Sequence, residues 1–305
     1  MIATKIIVMT KTIGVIGLGS IGMRHAKNLL AMGHTVYGQD TNKLAVAHLQ
    51  ELGGDHVIVD FKTKEMPRLD GIVVASPTKF HLFHWANTEG PVFIEKPIAQ
   101  IEDVGVVQDE LVAREGEITM VGNNLRFHAC VKKAKEWLTE GLIGKPLWAS
   151  FTVAQHNAKY TDPVVLNWLS HECDLALYLL GPATVTAASI RDDIADVCLL
   201  HEYNVPSTLH GDYLTRPFRR GFVIAGETGI LQANLEARWA TIHDHDNRLI
   251  HSTLASEAGS YDEEYREEMR HFISMIDGVP SGVAATGQDG LAALELILEV
   301  QRISK

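Results

Sequence analysis

The six residues at positions 17–22, Gly-Leu-Gly-Ser-Ile-Gly, have the glycine spacing of a loop that binds a dinucleotide. They lie between a predicted strand and a predicted helix. Glycine permits the tight turn and lets backbone N–H groups at the start of the helix approach a pyrophosphate. The residues of this segment predicted to bind the cofactor are Gly17, Gly19, Ser20, Ile21, Gly22 and Arg24.

Asp40 adds to this pattern, because it closes the next predicted strand 18 residues beyond Gly22. A carboxylate at this point can accept hydrogen bonds from the adenosine ribose and repel a 2′-phosphate. We therefore predict NAD as the cofactor, with NADP as the alternative that Lys43 keeps open. Without a cofactor, Asp40 would be a helix N-cap acid beside a structural turn.

Polar residues follow three more predicted strands, which run into residues 76–78 (Ser-Pro-Thr), 95–97 (Glu-Lys-Pro) and 122–126 (Gly-Asn-Asn-Leu-Arg). Ligands of an open parallel sheet bind outside the carboxyl ends of its strands, so we expect these loops to face one cleft. Loops are often polar in any protein, and the prediction therefore depends on the three loops together. The further predicted cofactor-binding residues are Ser76, Pro77, Thr78, His81, Glu95, Lys96 and Asn124.

Lys96 and His171 are the side chains best suited to the chemical step. Lys96 precedes a proline, which favours an extended backbone, and its ammonium can stabilise developing negative charge on a substrate oxygen. His171 begins a predicted amphipathic helix at 170–181. Since an ordinary histidine titrates near pH 6.5, it could exchange a proton with an alcohol or a ketone. A solvated lysine and one more packing histidine among 15 are the alternatives.

Composition excludes several classes of function. The formal net charge of −11 opposes extended contact with nucleic acid, and no apolar run approaches the length of a membrane span. Three scattered cysteines do not form a disulfide framework and fit a reducing compartment, so we predict a cytoplasmic protein. No metal site is predicted, because paired cysteines and HExxH spacing are absent from the sequence.

The 305 residues exceed the usual size of a single core, and two domains are expected. Short β-branched runs alternate with helical stretches over residues 12–121, which is typical of a doubly wound parallel sheet. We predict a Rossmann domain at 1–125, with its first helix at 21–32 closed by Gly33 and its second helix capped by Thr41. The predicted strands are 13–16, 35–37, 57–59, 72–75, 92–94 and 119–121.

Residues 126–305 show a different pattern, in which strands are separated by turns rather than helices. This spacing predicts an α+β domain with a large, mostly antiparallel open sheet. Two terminal helices, 263–276 and 289–303, could cover one face of that sheet or return to the first domain. The predicted strands are 147–155, 184–190, 195–203, 207–214, 218–225 and 230–234.

With these motifs assembled, the sequence resembles the Gfo/Idh/MocA oxidoreductases over nearly its whole length. The resemblance rests on GLGSIGMRH, ASPTKFH, EKP and GNNLRFH in the first domain, and on SHECDLALYLLG in the second. The segments LHGDYLTRPFRRGFVIAGETG and EEMRHF resemble the branch associated with bacterial surface-sugar biosynthesis.

The resemblance implies an active site between the two domains, where hydride passes between nicotinamide C4 and a sugar carbon. It assigns to Lys96 the orientation of the substrate hydroxyl, and to His171 the transfer of the proton. The Lys96-Pro97 bond is often cis in such proteins. The sheet of the second domain often forms homo-oligomers, which predicts a dimer or a tetramer.

One departure from the family concerns the aspartate that commonly lies three or four residues before this histidine. Asn167 and Trp168 occupy those positions here. Asn167 can bind a substrate hydroxyl, but it cannot carry the negative charge that raises the pKa of a nearby histidine or lysine. The predicted catalytic residues are Lys96, His171 and Asn167. The predicted substrate-binding residues are Arg126, Trp168, Asp174 and Arg216.

Arg216, Arg219 and Arg220 have two interpretations. They could bind a carboxylate or phosphate on an acidic or nucleotide-linked sugar, or they could guard an exposed strand edge by their charge.

The leading hypothesis is an NAD(P)-dependent dehydrogenase or reductase acting on a CH–OH group or ketone of a sugar, a cyclitol or a sugar derivative. A glycosidase or lyase that oxidises its substrate transiently with bound NAD is the second hypothesis. A cofactor-binding sensor without turnover is the third, and the missing aspartate supports it.

Overall fold

The structure, a computed structural model, describes residues 10–53, 68–156, 163–253 and 261–304. Short, apolar, β-branched runs form the first sheet, and such runs suit strands that are covered on both faces. These strands are β1 (Thr12–Ile16), β2 (Thr35–Gln39), β3 (Gly71–Val74), β4 (Val92–Glu95) and β5 (Thr119–Gly122), with β14 (Ala285–Thr286) from the end of the chain.

The order of strands in this sheet is β14-β5-β4-β3-β1-β2, and all neighbours are parallel except β14, which is antiparallel to β5. Five of the six strands predicted for the first domain are confirmed to within two residues. The sixth, at 57–59, lies outside the described residues. Because β1 lies between β2 and β3, the chain reverses its direction of winding at the carboxyl end of β1, where ligands of such sheets bind.

The helices of the first half are α1 (Ser20–Ala31), α2 (Lys43–Glu51), α3 (His81–Ala86) and α4 (Val104–Ala113). Gly33 follows α1 with φ +86°, which confirms the predicted stop. The predicted cap of α2 was wrong by one residue. Asn42, rather than Thr41, accepts a hydrogen bond from the N–H of Leu44 at 3.0 Å, because its side chain reaches the free N–H groups of the first turn.

The second sheet has eight strands in the order β13-β12-β11-β10-β6-β9-β8-β7, antiparallel throughout except for β6 and β9. This confirms the predicted fold class. The last two strands of this sheet, at 239–244 and 249–252, were not predicted, because turns interrupt the sequence there. The bounds are β6 (Pro146–Ala154), β7 (Ala183–Ile190), β8 (Ile194–His201), β9 (Pro206–Asp212), β10 (Arg219–Gly226), β11 (Gly229–Asn234), β12 (Trp239–Asp244) and β13 (Leu249–Ser252).

Helices α5 (Ala129–Thr139), α6 (Val164–Asn167) and α7 (Leu169–Leu180) pack on one face of the second sheet, whose inward residues form the core of this half. Among the described residues, no helix is long and apolar enough to cross a membrane.

The last two helices, α8 (Tyr261–Ile276) and α9 (Gly287–Ile303), connect the two halves. Helix α8 packs against α1, and the β14 strand extends the first sheet. Of the two predicted alternatives, the return of the chain to its first half is therefore the one observed. Helix α9 contacts both α4 and β7, and it begins with a capping box between Thr286 and Asp289. We propose that the boundary between the two halves lies at residue 125. The exception is the end of the chain, where α8 and β14 pack with the first half.

Candidate active site

The glycine loop connects β1 to α1, and its glycines are required by the backbone around them. Gly17 has φ +87°, and a Cβ there would lie 2.6 Å from the carbonyl oxygen of Ala75. A Cβ on Gly22 would lie 1.8 Å from the carbonyl oxygen of Gly17. Around Gly19, in contrast, a Cβ would meet nothing within 4 Å. The first and third glycines therefore close the turn, while the second leaves an open approach to the backbone.

This open approach fits the pyrophosphate of a dinucleotide. Helix α1 begins at Ser20 with no side-chain cap and no acidic residue in its first turn, so its free N–H groups and positive end are available to an anion. The Oγ of Ser76, in the neighbouring loop after β3, is buried and has no hydrogen-bond partner among the described residues. A buried hydroxyl without a partner is costly, and a bound cofactor would supply one.

Asp40 follows β2, as predicted, and its carboxylate lies against the glycine loop. Oδ2 accepts a hydrogen bond from the N–H of Leu18 at 2.6 Å, and Oδ1 accepts one from the N–H of Asn42 at 2.7 Å. The carboxylate is thus fixed at the edge of the dinucleotide site. Its remaining lone pairs can accept from ribose hydroxyls, and its charge opposes a 2′-phosphate.

A break between α6 and α7 creates an acceptor in the cleft. In a continuous helix the carbonyl of Asn167 would accept from the N–H of His171, four residues later. At this break the N–H of His171 donates instead to the carbonyl of Trp168, at 3.0 Å. The carbonyl of Asn167 is therefore free to bind side chains.

Lys96 forms a hydrogen bond to this carbonyl. Its Nζ donates to the oxygen of Asn167 at 2.9 Å, and the hydroxyl of Ser170 donates to the same oxygen at 3.0 Å. The Lys96-Pro97 bond is cis, as the family resemblance implied. Two residues separated by 71 positions, both predicted as catalytic, are thus brought into contact across the two halves of the chain.

His171 lies on the first turn of α7, close enough to Lys96 for their charges to interact. Burial holds the pKa of His171 well below its usual range, and the ammonium of Lys96 and the guanidinium of Arg220 lower it further. The Nδ1 atom of His171 is buried without a hydrogen-bond partner among the described residues. The imidazole is therefore neutral near pH 7 and able to accept a proton.

A cleft of about 480 Å³ opens beside these residues. It brings together the loops after β3 and β4, the end of α6 and one residue of α9. Its volume lies within the usual range of sites that bind small molecules. The lining residues are Pro77, Thr78, Lys79, Lys96, Pro97, Ala99, Gln100, Ile101, Glu102, Leu166, Asn167 and Gln301.

Two residues predicted to bind the cofactor, Glu95 and His81, have contacts inside the protein. The carboxylate of Glu95 is turned inward, where Oε1 lies 2.7 Å from Nε2 of His25. His81 is buried and bridges two loops, with its ring nitrogens 2.9 Å from the carbonyl of Pro97 and 2.7 Å from that of Ser76. These two side chains hold the cleft loops in place, because their polar atoms are already engaged below the surface. Asn124 is also buried.

Arg24 was predicted to bind the cofactor, and the structure places its guanidinium against α8. It lies over the rings of Tyr265 and Tyr261, at 4.7 and 5.2 Å from their centres. This contact joins α1 to α8.

Arg126 and Asp174, which were predicted to bind substrate, are paired with each other. Both are buried, and the guanidinium binds the carboxylate with hydrogen bonds of 2.6 to 3.1 Å. The amide of Asn123 donates to the same carboxylate at 2.7 Å. The pair connects the segment after β5 to α7, three residues beyond His171, and leaves little capacity for a substrate.

Trp168 is also buried, and it packs edge-on against Tyr213 with ring centres 4.9 Å apart, behind the cleft rather than in it. Arg216 is exposed and is not among the residues that line the cleft.

The order of strands contradicts one of the two interpretations of the arginine group. Strand β10 lies between β6 and β11 inside the sheet, so Arg219 and Arg220 do not guard a sheet edge. Arg220 points inward and forms two hydrogen bonds to Glu172, at 2.8 and 3.0 Å. It therefore supports α7 next to His171.

A buried cluster of one histidine and two glutamates joins α1, the end of β4 and α8, and no motif had indicated it. His25, Glu95 and Glu268 each place one possible ligand atom within 4.8 Å of the others, although no metal spacing was visible in the sequence. Both oxygens of Glu268 are buried without a partner among the described residues. Burial and the neighbouring carboxylate of Glu95 hold the pKa of Glu268 well above its usual range, which favours its protonated form.

Comparison with known proteins adds to this geometry. Residues 12–76 match the family model described as the NAD binding domain of 6-phosphogluconate dehydrogenase. A scyllo-inositol 2-dehydrogenase (NAD(+)) of Bacillus subtilis (strain 168) is 28% identical over 203 residues, which cover 62% of this chain and 59% of that protein. A myo-inositol 2-dehydrogenase of Thermotoga maritima is 27% identical over 93% of both chains. The chain thus spans less than two thirds of one curated relative and nearly all of another.

Among solved structures, a levoglucosan dehydrogenase in complex with NADH and levoglucosan shares the fold. Its TM-score is 0.86 at 18% identity, with 97% of each chain covered. The predicted NAD-binding domain and the predicted fold class are thereby confirmed. The two curated relatives are named as inositol 2-dehydrogenases, the class of activity that the sequence predicts.

Proposed function

We propose that this chain, which is similar to the Gfo/Idh/MocA oxidoreductases, is an NAD-dependent dehydrogenase or reductase of a hydroxyl or ketone on a polyhydroxylated ring. The observation that carries the proposal is the hydrogen bond in the cleft from Lys96 to the carbonyl of Asn167, four residues before His171, together with a glycine loop that fits a pyrophosphate. The hydrogen bond from Lys96 to the carbonyl of Asn167 fixes the ammonium at the boundary between the two halves of the chain.

Each residue has a distinct role in the proposed reaction. Hydride transfer is the chemistry that the nicotinamide supplies when bound. Lys96 donates a hydrogen bond to the reacting oxygen and stabilises negative charge that develops on it. His171 is neutral and accepts the hydroxyl proton during oxidation, or returns it during reduction. We assign this proton to Nε2, because Nδ1 is buried.

The cofactor would be held by the backbone of the glycine loop, by the open start of α1 and by Asp40. Ser76 and Thr78 border the same region, where β3 ends beside β1. The carboxylate of Asp40 favours NAD over NADP because a 2′-phosphate would meet its negative charge.

The substrate class follows from the cleft and from the named relatives. Inositols and levoglucosan are uncharged, hydroxyl-rich rings, and the cleft offers the donors and acceptors that such rings require, from Lys79, Lys96, Gln100, Asn167 and Gln301. We therefore favour a cyclitol or a sugar over a nucleotide-linked acid, whose anionic groups would need free arginines near the cleft.

The test is a substrate panel with cofactor. Purified protein is titrated with NADH and NADPH by fluorescence, and then assayed with inositols, aldoses and anhydrosugars at the nicotinamide absorbance band. The proposal expects tighter NADH binding and stoichiometric NADH formation with at least one polyol. Hydrolysis or elimination without net NADH would support the glycosidase or lyase hypothesis. Cofactor binding without any turnover would support the sensor hypothesis.

We further propose that a second copy of the chain covers the outer face of the second sheet. Trp148 and Ile230 flank the buried Ala225 in one row across β6, β10 and β11 on that face, and they are 45% and 36% exposed. Exposed apolar rows of this kind favour association. Light scattering after gel filtration tests the proposal, and a monomeric mass at micromolar concentration would contradict it. The cytoplasmic location stays a prediction.

A further inference from the structure

Three side chains that can bind a metal ion meet in one buried cluster, away from the cleft. His25 comes from α1, Glu95 from the end of β4 and Glu268 from α8, and one possible ligand atom of each lies within 4.8 Å of the others. We propose that these three residues bind one zinc-like divalent cation, which joins α8 to the first sheet. The inference goes beyond the proposed function, because it concerns the stability of the fold rather than hydride transfer.

The carboxyl group of Glu268 is the strongest indication of a ligand. Glu268 is 0% exposed, and neither of its side-chain oxygens has a hydrogen-bond partner among the described residues. Protonation removes the negative charge, but the O–H and the second oxygen would still lack partners, which is costly in a buried site. Nδ1 of His25 is likewise buried without a partner in the described part of the chain. A cation bound between these residues would satisfy the carboxylate directly.

The backbone leaves room for the carboxylate of Glu95, and aromatic rings hold His25 beside it. Gly122 pairs with Glu95 across β4 and β5, and a Cβ on Gly122 would lie 3.1 Å from Oε1 and 3.0 Å from Cδ of Glu95. Any side chain at position 122 would therefore press on this carboxylate. The imidazole of His25 packs edge-on against Phe93 and Tyr265, with ring centres 5.0 and 5.8 Å apart. Two of the three ligands are thus held in place by their surroundings.

The donor set indicates the kind of ion. Zinc accepts an imidazole nitrogen together with carboxylate oxygens, whereas Mg²⁺ and Ca²⁺ prefer oxygen ligands. Two carboxylates carry the charge that one divalent cation neutralises. Ligand atoms of a tetrahedral zinc site lie about 3.3 Å apart. Nε2 of His25 and Oε1 of Glu95, which are 2.7 Å apart, would therefore separate slightly on binding, and the side chain of Glu268 would move towards them.

An ion at this point would connect parts of the chain that are far apart in sequence. Helix α8 comes from the end of the chain and packs against α1, and Glu95 lies 70 positions after His25. No metal site was predicted from the sequence, because these ligands form no local spacing pattern. Since the three ligands meet only in the folded chain, the ion should raise the free energy of unfolding.

The test measures bound zinc directly. The full-length protein is stripped with EDTA, dialysed against a series of Zn²⁺ concentrations and analysed for metal content by mass spectrometry. We expect one tightly bound equivalent in the wild-type chain. In Glu268→Gln we expect binding to be weaker by more than about 100-fold, because changes outside the ligand shell alone cost about 10- to 100-fold. The absence of a tight equivalent in the wild-type chain, or equal binding in Glu268→Gln, would overturn the inference.

Glu267→Gln is the matched control, since Glu267 precedes Glu268 on α8 and its carboxylate pairs with Arg270. This variant should bind zinc as the wild-type chain does. If Glu268→Gln does not fold, His25→Gln provides the second variant, and it should lose the same equivalent. Retention of that equivalent by His25→Gln would overturn the inference.

Thermal unfolding provides a second measurement that needs no substrate. Zn²⁺ is expected to raise the Tm of the stripped wild-type chain and of Glu267→Gln, but not that of Glu268→Gln. A wild-type Tm that does not respond to Zn²⁺ would contradict the proposed connection. Since neither metal content nor Tm depends on turnover, the inference can fail while the proposed function holds, and the reverse.

Discussion

The ammonium of Lys96 donates to the main-chain carbonyl of Asn167 over 2.9 Å, and the break between α6 and α7 is what frees that carbonyl. The contact joins the loop after β4 to the end of α6, next to the helix that carries His171. The proposed catalytic lysine and Asn167, which lines the cleft, therefore depend on the same short segment.

Lys96→Met is expected to lower kcat/KM by about two to four orders of magnitude, because the reacting oxygen loses its hydrogen-bond donor and the nearby positive charge. Lys132→Met is the matched control, since Lys132 is exposed on α5 and is not among the residues that line the cleft. Steady-state assays with the best polyol from the panel measure the effect. Equal losses in the two variants would contradict a specific role for Lys96.

The pH dependence of oxidation should reflect the low pKa of His171. Oxidation needs the neutral imidazole, and this form persists until the pH falls well below 6.5. We expect kcat/KM to be flat from about pH 6.5 to about pH 8, with the acid limb below that range. His171→Gln should remove this limb along with most of the activity. An acid limb centred above the ordinary histidine value of about 6.5 would exclude His171 as the base.

Asp40→Ser is expected to improve binding of NADPH relative to NADH by about tenfold, equivalent to about 1.4 kcal/mol, because the carboxylate no longer repels the 2′-phosphate. Fluorescence titration with both cofactors measures the ratio. The substitution Asp109→Ser, on the exposed surface of α4, is the control. An unchanged ratio would remove Asp40 from the discrimination between the cofactors.

Arg126 and Asp174 form a buried pair, and their contributions to the free energy of unfolding should be strongly coupled. Arg126→Met leaves a buried carboxylate with fewer donors, and we expect a loss of about 3–5 kcal/mol in the free energy of unfolding. The double variant with Asp174→Leu should lose less than Arg126→Met alone. Urea unfolding provides the comparison, and a double variant that is less stable than the single one would contradict the pairing.

We expect Glu264 to make the free energy of unfolding fall as the pH rises. Burial raises the pKa of its carboxyl to about 7, against the opposing charge of Arg238, whereas the ordinary value is 4.5. In the folded state the carboxyl of Glu264 therefore keeps its proton at pH values where the same carboxyl in the unfolded chain has released it. The stability that this proton confers is fully present below pH 4.5 and is lost as the pH rises through about 7. The total loss amounts to about 3 kcal/mol.

Glu264→Gln should flatten this part of the dependence of unfolding free energy on pH. The exposed residue Glu115 gives the control, because Glu115→Gln should leave the curve unchanged. A contribution of Glu264 that rises with pH between 4.5 and about 7 would be the opposite of the expected sign. Chemical denaturation at a series of pH values measures both variants.

The amino-acid sequence by itself determined the dinucleotide site and most of the strands. The three glycines, Asp40 and the alternation of apolar runs with helices are local features, and a steric requirement such as that of Gly17 and Gly22 can be recognised from spacing alone. Lys96 was recognisable for a similar reason, because the proline that follows it limits its backbone.

Only the tertiary structure decided which polar side chains face the cleft. Glu95, His81, Arg126 and Asp174 belong to motifs as distinctive as that of Lys96, yet they bind partners 5 to 70 positions away in the chain and are turned inward. Their roles depend on how the two sheets and α8 come together, and no local pattern encodes this. Glu268 was not indicated by any motif for the same reason, since it meets His25 and Glu95 only when α8 packs against α1.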